Sequence, residues 1–103
     1  MNRYAYRNTF KKYLNEENEA ILGTIVENSD NLSETNQQID TWIEEIKILD
    51  EVLFGLDDGE IAFEYTIPRI GSRVDNVILY KGMIYLLEFK VGESEYKQYE
   101  INQ

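Results

Sequence analysis

The sequence predicts an α+β domain in which helices come first and an antiparallel sheet follows. Three observations carry this. Ile39, Trp42, Ile43, Ile46, Leu49 and Leu53 recur at helical spacing. After Gly59 the period changes to alternation, rich in β-branched and aromatic residues, in EIAFEYTI, RVDNVILY and MIYLLEF. Only Lys81-Gly82 separates the last two runs, the length of a two-residue hairpin turn. A chain of 103 residues supports one domain, 1–103, and buries roughly two thirds of its unfolded surface.

The elements follow in order. Phe10, Tyr13, Leu14, Ala20, Ile21 and Ile25 predict a helix over about 10–26, bent at the polar stretch Asn15–Asn18. Residues 1–32 then form a helical extension and 33–103 a partial core. Asn28-Ser29-Asp30-Asn31 is a loop. Ser33 is the expected N-cap of the main helix, with Glu34 in its first turn. Gly55 stops that helix, and Asp57-Asp58-Gly59 turns the chain into the first strand. Pro68 and Gly71 bracket the next turn. Gly92 breaks the third strand, and Ser94 is placed to cap a last helix, EYKQYEINQ. A helix running to Gln103 reads as part of a longer protein.

Composition excludes several chemistries. There is no cysteine and no histidine, which removes thiolate and imidazole nucleophiles, shuttles and zinc ligands. A metal here would be held by oxygen, which favours magnesium or manganese. No apolar run approaches the roughly 20 residues of a membrane span, and MNRYAYRNTFKK lacks a signal-peptide apolar region. The expected location is cytoplasmic. The net charge of −10 is uneven: +4 over residues 1–13, −13 over 14–60 and −1 over 61–103. The acidic block reads as solvated helix faces and opposes nucleic-acid binding over the whole surface; the near-neutral second half leaves room for a phosphate.

The hairpin turn fixes a register. Tyr80 opposite Met83 sets Ile78 against Tyr85, Val77 against Leu86, Asp75 against Glu88 and Arg73 against Lys90. By alternation the four charged residues share the face of Val77 and Leu79. Directly opposed carboxylates, with Cβ atoms about 4.5–5.5 Å apart, repel unless a cation or a shared proton neutralises them. Asp75 and Glu88 therefore form a candidate seat for Mg2+ or Mn2+, completed by the Phe89 carbonyl and waters, with Lys90 beside the metal's waters. The bland alternative is a surface ion-pair network of the same four residues.

Asp75, twelve intervening residues, then Glu88-Phe89-Lys90 resembles the D…ExK motif of the PD-(D/E)XK nuclease superfamily. That family's core runs helix, three antiparallel strands, helix, strand. The stretch FEYTIPRIGSRVDNVILYKGMIYLLEFKVGESEY, with NQQIDTWIEEIKIL before it, is similar to a nuclease-like region at the N-terminus of bacterial proteins that continue into a P-loop helicase-like domain. The resemblance covers roughly residues 35–103. It implies a restriction-endonuclease-like core with a three-stranded sheet, truncated before the fourth strand, and metal-dependent hydrolysis of DNA or RNA phosphodiesters. Asp75 and Glu88 would be metal ligands and Lys90 the catalytic lysine. Gln38, Glu44 or Glu45 would add an acid or amide from the first core helix, and Gln98 or Gln103 one from the helix after the motif. Val74 stands where the family often has proline, and neither the fourth strand nor a P-loop is present.

Other residues carry weaker signals. Glu64 is a candidate accessory acid, and Arg69 and Arg73 are candidates for phosphate contacts or for partners of the acids. Trp42 fits the core stripe of its helix, and Tyr96 and Tyr99 read as packing residues before base-stacking ones. Gly23 carries no functional signal. A second function class is a non-catalytic interaction module with a nuclease-like fold that self-associates or docks on a helicase-type domain. An acidic nucleic-acid mimic would suit residues 14–60 but leaves the hairpin unexplained.

Overall fold

The sheet begins before the alternating segments do. In the computed structural model, which describes residues 3–29, 36–90 and 98–102 (Lys90 and 98–102 in backbone only), Tyr6–Thr9 is already a strand, β1. There follow α1 (Phe10–Asn15), α2 (Asn18–Asn28), α3 (Asn36–Leu53), β2 (Gly59–Thr66), β3 (Arg73–Tyr80), β4 (Met83–Lys90) and β5 (Gln98–Asn102). All neighbouring strands are antiparallel, in the order β1-β2-β3-β4-β5. The α+β class stands, and the three-stranded sheet is corrected to a larger one.

Strand β1 escapes the alternation pattern because only its Tyr6 is fully buried, paired with Phe63 of β2. Thr9 ends the strand and caps α1, its hydroxyl accepting from the Lys12 amide at 3.2 Å. The single helix expected over 10–26 is two helices. Glu16 and Glu17 are extended between them, at the polar stretch that suggested a bend. Ser33 and Glu34, the expected cap and first-turn acid of α3, lie outside the described residues, as do Gly92 and Ser94. Gly55, at φ +82°, ends α3 as expected. The closing helix is replaced over Gln98–Asn102 by β5, which pairs with Leu86–Lys90 of β4. Hence the expected order of helix, three strands and helix is not the order found.

The helices cover one face of the sheet. Ile61, Phe63 and Ile78 pack with Phe10, Tyr13, Ile21 and Ile25 from α1 and α2, and with Trp42, Ile46, Leu49 and Leu53 from α3. Residues before position 33, expected as an extension, thus supply part of the main core. Gly59 is forced by this packing, since a Cβ there would overlap the buried Phe10 ring. The β3–β4 turn places Lys81 at φ +51° and Gly82 at φ +79°, the twist a two-residue hairpin prefers. Its register is the predicted one from Tyr80–Met83 to Asn76–Leu87.

Candidate functional site

The site grows from the buried stripe of α3. Trp42, Glu45, Ile46, Leu49 and Leu53 face the core, and Glu45 is an acid among apolar neighbours, 1% exposed. Among the described residues its Oε1 has no hydrogen-bond partner. Burial, then repulsion from Asp75 and Glu64, pushes its pKa up to about 9. Of the three helix candidates, Glu45 is therefore the one brought to the hairpin's acids. Gln38 and Glu44 are half-buried, and neither contributes to the shift of Glu45 or Asp75.

Glu64 arrives from β2 by an unusual backbone. Its φ is +54°, a region costly for a residue with a Cβ. Trp42 donates its indole N–H to Glu64 Oε2 at 3.2 Å, so the carboxylate reaches the helix-covered side. Arg73 of β3 donates to Glu64 Oε1 at 3.3 Å. The contact ties α3, β2 and β3 together through one side chain.

Asp75 sits where the ladders open. Pairing of β2 with β3 skips the Glu64–Asp75 position, and pairing of β3 with β4 stops at Asn76–Leu87. Instead, the Phe89 amide of β4 donates to Asp75 Oδ2 at 2.7 Å. Burial pushes Asp75 up to about 6, against the lowering effect of that bond, and Glu64 and Glu88 add repulsion. Along β3 the burial alternates as expected: Val74, Asn76 and Ile78 are buried, and Asp75 stays in phase with Val77 and Leu79. Val77 and Leu79 line a groove on the side away from the helices, while the charge of Asp75, where the ladders open, still raises Glu45 of α3.

Glu88 lies on β4, near enough to raise Asp75, and its backbone pairs with Glu100 of β5. The Phe89 contact with Asp75 is made by its amide and not by the carbonyl expected as a metal ligand. Lys90 and Gln98 pair through their backbones; Gln103 lies outside the described residues. Arg73 is engaged with Glu64, and Arg69 is exposed in the turn after β2, at φ +76°.

Glu45 was one of three helix candidates that the spacing did not separate, and Asn76 was not among the candidates. Glu45 had a signal, an acid three residues after Trp42 on the apolar stripe. Asn76 is fully buried beside Asp75, donating to the Ala62 carbonyl at 3.3 Å, and its Oδ1 has no partner among the described residues. Chemically, the cluster is a set of hard oxygen donors in which Glu45 and Asp75 have raised pKa, suited to protons or a divalent cation. Among the described residues, no group of three or more Asp or Glu side chains has a geometry that could hold a metal ion. Among the described residues no helix is long and apolar enough to cross a membrane. No family model, curated protein or solved structure matches the chain.

Proposed function

We propose that the chain is a nuclease-like domain acting on phosphodiester bonds of DNA or RNA with Mg2+ or Mn2+, at the cluster of Glu45, Glu64, Asp75 and Glu88. The observation that carries the reading is the acid from α3, buried at 1% exposure, with one oxygen lacking a hydrogen-bond partner among the described residues and within the electrostatic reach of two acids of the sheet. Natural proteins seldom leave a carboxyl in that state without a role, because an unpaired buried acid costs stability. Glu45, Asp75 and Glu88 would hold the cation. When bound, it would polarise the phosphoryl oxygen and lower the pKa of an attacking water. In this reading Lys90 lies two residues from Glu88 and orients that water. Arg73 pairs with Glu64, which partly offsets the repulsion that Glu64 exerts on Asp75.

The donors fit a hard cation in kind, and their present spacing does not close around one, so binding requires the acids to move together. It also requires Glu45 to lose its proton. Calorimetric titration of the chain with MnCl2 in two buffers of different ionisation enthalpy tests this. At pH 7, binding should release on the order of one proton, and Asp75→Asn should abolish it. Absence of binding at millimolar metal, or binding unchanged in Asp75→Asn, ends the reading.

The open spacing of the acids favours a second reading, a non-catalytic interaction module that keeps the buried acids as relics of packing. Cleavage of labelled DNA and RNA by wild type but not by Lys90→Ala would exclude it.

A further inference from the structure

The sheet is apolar on both faces, but among the described residues the helices cover only one. On the other face Ala62, Val77, Leu79, Ile84 and Leu86 line one groove. Leu79 is 38% and Ile84 58% exposed. The groove meets a second, larger concavity at the hairpin end, which Leu79 and Ile84 also line. There the exposed Phe54 and Met83 extend the apolar surface. Two-layer packing requires a sheet face of this kind to be covered.

The charges around it favour one kind of cover. Asp50, Asp57 and Asp58 line the hairpin end, against Lys11 and Lys81. Arg7 at the rim is already committed to Glu60, at 2.6 Å, and Lys81 lies over the Tyr80 ring. A second copy would bring a further net charge of −10 against these acids, which opposes self-pairing. An α-helix matches the width and shape of an open sheet face, and lysines or arginines flanking its apolar stripe would meet the acids. We propose that the helix-free face of the sheet is a docking surface for a basic amphipathic helix of a partner protein.

The test uses the full chain and a labelled synthetic 18-residue helix with a leucine stripe flanked by lysines, followed by fluorescence anisotropy. A second peptide carries glutamates in place of the lysines. The lysine peptide should bind at least about tenfold tighter than the glutamate peptide. Ile84→Asp should weaken it by about tenfold or more. Val52→Asp should not, because Val52 is as exposed (54%) but lines neither concavity. Both positions are exposed, and thermal melts verify that the variants fold. No binding of the lysine peptide, equal binding of the two peptides, or equal effects of the two substitutions overturns the proposal. So does sedimentation showing a wild-type dimer that Ile84→Asp dissociates, since the face is then filled by a second copy.

Discussion

Glu45 is the residue on which most of the proposed chemistry depends. Its pKa in the folded chain, about 9, lies above the 4.5 of an unfolded glutamate, so the folded state holds a proton that the unfolded state gives up. Its contribution to stability is therefore intact below pH 4.5 and declines as pH rises toward 9. Asp75, raised to about 6, acts in the same direction over a narrower window. Urea denaturation without added metal should show lower stability at pH 8 than at pH 5, by on the order of 3 kcal/mol from Glu45. Glu45→Gln keeps the shape and removes the titration, so its stability should change much less between those pH values. Identical pH slopes for the two proteins would mean that Glu45 is ionised or solvated at neutral pH. The proton that the proposed metal binding would displace and the loss of stability at high pH are two readings of one property, the cost of an anion at that position.

Elements differ in how far their sequences declare them. Strands β3 and β4 follow from alternation, and their register follows from a two-residue turn, because side-chain period and turn length leave few alternatives. Helix α3 follows from its apolar stripe. Gly59 shows a constraint of a different kind, a glycine fixed by a neighbour in another element. Gly59→Ala should destabilise by about 1–3 kcal/mol, read as a shift in the urea midpoint at unchanged slope, since the Phe10 ring is buried and cannot move aside. A neutral result would show that α1 gives way at that contact. Nothing in YRNT marks β1, whose outward residues are polar and whose strand exists because β2 offers an edge. The same holds for QYEIN, where helical and strand patterns compete and β4 decides. The site was legible in part. Asp75 and Glu88 were visible as acids in an apolar hairpin, and Glu45 as an acid on an apolar stripe. The opening of the ladders at Asp75 was not, because Glu64 at φ +54° and the interrupted pairing go with tertiary contacts to Trp42, Arg73 and Phe89. Alternation assumes a continuous ladder, and the candidate site is where the ladder stops.

For the whole molecule, the question is whether the hairpin and its acids form a unit without the first third of the chain. The sequence suggested a core over 33–103 with a helical extension before it. In the fold, Ala5, Tyr6, Phe10, Tyr13, Ile21 and Ile25 belong to the same buried cluster as Trp42, Phe63 and Ile78. Tyr13 also donates its hydroxyl to the Ile46 carbonyl at 3.3 Å, within the helix that carries Glu45. The Tyr6 ring stands edge-on to both Tyr13 and Phe63. Burial of a large apolar side chain contributes about 1.5–3 kcal/mol. Removing five such side chains costs on the order of 10 kcal/mol, comparable to the whole stability of a small domain, about 5–15 kcal/mol. A fragment of residues 33–103 should accordingly lack a cooperative thermal transition and show collapsed amide dispersion by NMR. It should also fail to bind Mn2+ even though it retains all four acids, because α3 has lost the packing that holds Glu45 against the sheet. A fragment that melts cooperatively with dispersed amides would restore the N-terminal segment to an appendage. It would also place the support of Glu45 in the contacts of α3 with β2 alone.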